Sequence, residues 1–177
     1  MRTDLKVFLL CAALLFAVQA RATVLPDACG DDKVNFDVST QKNQPAPAPP
    51  VAGKAQIVFI ENDDKEIGCI ALCEATTRVG MDGAWVGANN GNSYFVLAVD
   101  AGVHHLCASW QSALSMLKKN VDVVSFTAKP GKVYYFAAQI VDTGGKEVPP
   151  TIALSQLNED EGKYRVKAWN LATWKSK

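Results

Sequence analysis

From Ser93 to Val99 the apolar side chains sort by alternation, with Phe95, Leu97 and Val99 on one face and Tyr94, Val96 and Ala98 on the other. A period of two marks a β-strand. Asp100-Ala101-Gly102 is read as a hairpin turn, joining this strand to a second over Val103–Trp110. Upstream, Asp82-Gly83 separates Arg78–Met81 from Ala84–Gly87. An Asp-Gly pair between short strands favours a two-residue hairpin turn, because both central residues need φ > 0. Ala55–Ile60 is a continuous apolar run and predicts a strand covered on both faces. Val121–Thr127 and Lys132–Val141 are joined by Lys129-Pro130-Gly131, where proline followed by glycine predicts a type II turn. Strands at this spacing suit a β-sandwich or a partly closed barrel, and the fold expected is all-β, a β-sandwich of about seven strands.

The two ends of the chain read differently. Asn158 stands three residues before Glu161, the pattern of a capping box, and Glu159 and Asp160 suit a helix N-terminus. A short C-terminal helix is expected to continue through Gly162–Trp169, with Tyr164, Ala168 and Leu171 on the face that lies over the domain. Gly162 weakens that helix by about 1 kcal/mol relative to alanine. At the other end, Arg2 and Lys6 precede the apolar run Val7–Val18, and the small residues Ala20 and Ala22 follow. These are the charged, apolar and cleavage regions of a secretory signal peptide, with cleavage after Ala20 or after Ala22. The run is too short for a permanent membrane span. Cys11 lacks a small residue before it, so lipid anchoring is not expected. The chain therefore divides into a signal peptide (1–22), an N-terminal arm with a proline-rich linker (23–52), and a β-sandwich domain with its C-terminal helix (53–177). Pro45, Pro47, Pro49 and Pro50 make the linker an extended spacer. The mature protein is expected in the periplasm or the medium.

Composition narrows the chemistry. Eighteen basic residues balance eighteen acidic ones with no basic run, which argues against a nucleic-acid partner. Without Cys11 four cysteines remain, and in an oxidising compartment they predict disulfides. Three pairings are open; the expected one is Cys29–Cys107 with Cys69–Cys73, which fastens the arm to the sheet. Such a long closed loop would contribute on the order of 4 kcal/mol. The alternative is a metal centre of His105, Cys107, Cys69 and Cys73, since His105 and Cys107 share one strand face. A disulfide would consume those thiols, so no metal or other cofactor is expected. The plainer reading of the two histidines packs one beside Trp110 and leaves the other solvated. Trp85, Tyr94, Trp110, Tyr134, Tyr135, Trp169 and Trp174 could include a sugar-stacking platform, although aromatic residues in a small sandwich usually fill or cover the core. Glu61-Asn62-Asp63-Asp64 lacks calcium-loop spacing and reads as a solvated turn. Gly87–Asn92 lacks the helix that a phosphate loop needs and also reads as a turn. No Gly-x-Ser-x-Gly elbow is present.

Several ordered blocks suggest a family. Arg78–Asn89, Gly91–Phe95, Gly102–Cys107 and Gly131–Phe136 resemble the bacterial exported proteins catalogued as domain of unknown function 2846, over roughly Gly53 to Gly162. Asp82–Leu106 is also similar, more loosely, to PEGA surface-associated β modules. The resemblance implies a bacterial source and a small β domain, and it carries neither a catalytic residue nor a known activity. Many members are lipoproteins, but the leader here lacks the acylation box. The functional expectation is an exported non-catalytic envelope or secreted module that binds an envelope or extracellular protein or a glycan, with no integral membrane segment after signal cleavage. A cell-wall or glycan-active hydrolase with an unmarked carboxylate pair is the enzymatic alternative.

Overall fold

The computed structural model describes residues 26–62, 76–111, 120–141 and 151–177. Over these the chain forms β1 (Phe36–Gln41), β2 (Ala55–Asn62), β3 (Thr76–Met81), β4 (Ala84–Asn90), β5 (Ser93–Val99), β6 (Gly102–Gln111), β7 (Val121–Ala128), β8 (Val133–Val141), β9 (Thr151–Leu157), α1 (Glu159–Ala168) and β10 (Asn170–Ser176). One sheet has the order β1-β10-β5-β2-β8-β9 and the other the order β4-β3-β6-β7. The result is the expected all-β sandwich with a short C-terminal helix, enlarged by β1, β9 and β10. The stretch before Gly53 supplies β1, which runs antiparallel to β10 with Phe36 opposite Ser176 and Gln41 opposite Leu171.

The turns carry the main topological correction. Asp82-Gly83 closes a true hairpin between β3 and β4, with φ of 51° and 90° at its two residues. The other two turns do not form hairpins. Asp100–Gly102 carries the chain from β5 in one sheet to β6 in the other, and Lys129–Gly131 carries it from β7 to β8 across the same gap. Gly131 has φ +74°, and the Lys132 amide donates to the Lys129 carbonyl at 3.2 Å, as the sequence predicts for that turn. A turn sets chain reversal; the pairing partner is set by which apolar face must be covered. β2 accordingly pairs in parallel with β8 and antiparallel with β5.

Alternation on the central strands builds two apolar layers. Phe59, Phe95 and Phe136 from one sheet meet Leu106, Trp110 and Phe126 from the other in the inter-sheet core. Burying each such side chain contributes about 1.5–3 kcal/mol. Val58, Ile60, Tyr94 and Tyr135 point the other way and pack against Val166 and Trp169 of the helical segment and against Leu171. β2 is thus covered on both faces, as its unbroken apolar run predicts. The exposed flank of β9 is capped rather than paired: Asn120 Oδ1 and Asp122 Oδ2 accept from the amides of Ile152 (3.1 Å) and Leu154 (2.7 Å). Such capping removes donors that would otherwise template another strand.

The helix forms where expected but presents another face. Asn158 caps it, its Oδ1 accepting from the Glu161 amide at 2.9 Å. Tyr164 is 72 % exposed and Ala168 is exposed, so the predicted Tyr164–Ala168 face looks outward. The inward positions are Gly162, Arg165, Val166 and Trp169, and Leu171 already belongs to β10. Gly162 decides the orientation, because a Cβ there would lie 2.1 Å from Tyr135 Cγ.

Candidate functional site at the Asp82–Gly83 turn

The hairpin turn points the Asp82 carboxylate at the neighbouring strand β6. Its Oδ1 accepts from the His105 amide at 2.8 Å, and its Oδ2 lies 2.6 Å from His104 Nδ1. The other ring nitrogen of His104, Nε2, lies 2.9 Å from the Asp100 carbonyl oxygen. A carboxylate and a carbonyl both accept, so the ring fills both bonds only when it carries two protons. Partial burial opposes the charged ring, but the bonds to Asp82 and Asp100 and their charges outweigh it and raise the His104 pKa above 6.5. Burial likewise opposes the charge on Asp82, and the bonds from His104 and the His105 amide outweigh it and lower its pKa below 3.8. Lys54 Nζ holds the Asp100 carboxylate at 2.6 Å, which extends the chain of charges to the start of β2. The His104 ring packs on Phe126, with centroids 5.7 Å apart. The expected neighbour, Trp110, is fully buried further along β6. His105 is the exposed member, its Nδ1 3.8 Å from Asp82 Oδ1.

Beside this cluster lies a groove of about 480 Å³ lined by Pro26, Asp27, Ala28, Asp82, His105 and the β7 residues Val123, Val124 and Ser125. One wall is the segment that precedes β1, which lies over the outer face of the four-stranded sheet. Cys29 and Cys107 join it to β6 in a disulfide, the pairing expected, with Cα atoms 5.3 Å apart. Arg78 adds a second tie. Its side chain is buried and donates from Nη1 to the carbonyls of Asp32 (3.1 Å) and Val34 (2.8 Å). Its guanidinium stacks on Trp85 at 4.4 Å, and Trp85 Nε1 donates to the Asp31 carbonyl at 2.6 Å. Burial lowers the Arg78 pKa, with the charge of Asp32 opposing.

The remaining sequence candidates do not converge. Cys69 and Cys73 lie outside the described residues. Cys107 is committed to the disulfide and has no thiolate to offer, so the centre of His105, Cys107, Cys69 and Cys73 cannot assemble as drawn. Among the described residues no three His, Cys, Asp or Glu side chains are grouped for a metal ion. The aromatic platform dissolves into separate packing roles: Trp110, Tyr94 and Tyr135 are buried, Trp174 packs on Phe95, Tyr134 on Phe126, and Trp169 under Arg165. Glu61 is no solvated turn residue but a buried strand residue, accepting from Thr77 Oγ1 at 2.5 Å. Gly87–Asn90 belongs to β4, leaving only Gly91-Asn92 as the turn. Two residues that spacing does not reveal are Asp82, as the partner of His104 twenty-two positions away, and Arg78, as the anchor of the N-terminal segment.

Both nitrogens of His104 are spent on protein acceptors, which leaves no lone pair for general-base work. The cluster is a clamp between two turns, and the open chemistry at this end is the groove. Comparison with family models, curated proteins and solved structures finds no match.

Proposed function

We propose that the protein is an exported, non-catalytic binding or structural module of the bacterial envelope or medium. The observation that carries this reading is the Cys29–Cys107 disulfide, which holds the N-terminal segment onto the sheet. Such a bond persists in an oxidising compartment, and the leader-like residues 1–22 are what would deliver the chain there. The commitment of the Asp82–His104 pair to structure supports a binding rather than a catalytic role. Its partner would be an envelope or extracellular protein or a glycan.

The test is a capture experiment from envelope fractions with a glycan array, run beside a hydrolysis screen on peptidoglycan and polysaccharides. Saturable binding without turnover is the expected outcome. Hydrolysis abolished by replacing a single Asp or Glu would establish the glycan hydrolase and end the module reading.

A further inference from the structure

Helix α1 covers only part of the outer face of the six-stranded sheet. Beside it lies a trough of about 490 Å³, within the usual range for small-molecule sites. Pro47, Val133, Tyr135 and Val166 line it with apolar surface, over a floor at Val58 that is itself buried. The facing wall is the proline-rich stretch through Pro47 and Pro49, pinned where Gln56 Nε2 donates to the Ala48 carbonyl at 3.0 Å. β2 is already paired on both edges, so this wall meets the sheet by its face and through that one side-chain bond.

The rim is cationic. Lys163 and Lys167, one turn apart on α1, both border the trough. Lys163 pairs with Glu159 at 2.5 Å, while Lys167 makes no ion pair with a described residue. A second depression of about 490 Å³ shares Val133 and Tyr135 with the first and adds Lys129, Lys132 and Glu159. Four lysines thus border the two depressions, with Lys163 paired to Glu159 and also acted on by Asp160, which leaves Lys167 as the rim cation open to an acid. The groove at Asp82 offers no comparable contrast, because its carboxylate is already bonded to His104 and His105.

We propose that this trough binds a long-chain carboxylate, its acyl chain along Pro47, Val133, Tyr135 and Val166 and its head group at Lys167. The proposal rests on the binding-module reading and supplies its ligand class. Apolar burial provides affinity, and Lys167 selects an acid over a neutral amphiphile of the same length.

The test uses protein recovered from the envelope of an exporting bacterium, titrated below the micellar range with octanoate, decanoate, dodecanoate and dodecanol. Affinity should rise about fourfold per added methylene. Dodecanol should bind several-fold more weakly than dodecanoate. Lys167→Glu should weaken dodecanoate about fivefold and leave dodecanol unchanged, as for a partly screened ion pair. Amide shifts on dodecanoate addition should centre on Val133, Tyr135, Val166 and Lys167. Absence of dodecanoate binding would overturn the assignment, as would equal affinity for acid and alcohol with no effect of Lys167→Glu, or shifts centred elsewhere. If a glycan or envelope protein were still captured, the module reading would survive that failure. Only turnover would end both.

Discussion

His104 and Asp82 show how two short hydrogen bonds make one site sensitive to pH. The folded pKa of His104 lies above 6.5, so its contribution is complete below that pH and is lost as the pH rises through the higher folded value. Asp82 is the reverse: its contribution is present above about pH 3.8 and is lost as the pH falls through a lower folded value. The pair should therefore support the fold best between about pH 4 and pH 6.5. Thermal unfolding should show a melting temperature that declines from pH 6 to pH 8.5, and His104→Gln should flatten that decline. A variant with the parent's slope would assign the pH dependence to other groups. Arg78 is the second informative residue. Arg78→Leu relieves a buried charge but strands two carbonyls at Asp32 and Val34 that now have a donor. Each stranded acceptor costs about 1–3 kcal/mol, so a net loss of about 2 kcal/mol is expected in urea unfolding. A change below about 0.5 kcal/mol would mean that water replaces the guanidinium at no cost.

At the scale of elements, the sequence was most readable where a strand's two faces are both chemically marked. β2 and β5 send alternate residues into the inter-sheet core and toward the helix, and their apolar patterns say so. β1 was not readable, because Asp37, Ser39, Thr40 and Gln41 are exposed and its partner β10 lies at the far end of the chain. Its free edge is finished by Gln111, whose side-chain amide accepts from the Phe36 amide at 2.6 Å and donates to the Phe36 carbonyl at 3.0 Å, a contact that no local pattern encodes. The candidate site was half visible: His104 and His105 stood out as a pair, whereas the carboxylate that organises them reads only as a turn former. Gly162 illustrates the limit of propensity. In isolation Gly162→Ala gains about 1 kcal/mol of helix stability. Here the new Cβ would collide with the Tyr135 ring, and overpacking costs typically 1–3 kcal/mol. Chemical denaturation should find the alanine variant less stable, and a more stable one would place the helix farther from β8. Asn158→Ala removes the cap and should cost about 1 kcal/mol.

In the whole molecule the two ends of the chain are tied to the sandwich, β1 pairing with β10 and Cys29 bonding to Cys107. The disulfide spans 78 residues and secures the segment that also roofs Arg78 and walls the groove at Asp82. Among the described residues no helix is long and apolar enough to cross a membrane. Loss of the bond through Cys29→Ser or Cys107→Ser should cost about 2–5 kcal/mol and expose Arg78 and Trp85 on the outer face of the sheet. Under the proposed function the chain is exported before the Cys29–Cys107 clasp forms. Non-reducing peptide mapping by mass spectrometry, on protein recovered from an exporting bacterium, checks export and clasp together. The expected chain begins after Ala20 or Ala22 and yields a linked Cys29–Cys107 peptide, with no alkylatable thiol at either position. A full-length chain in the cytosol, with both thiols free, would contradict it.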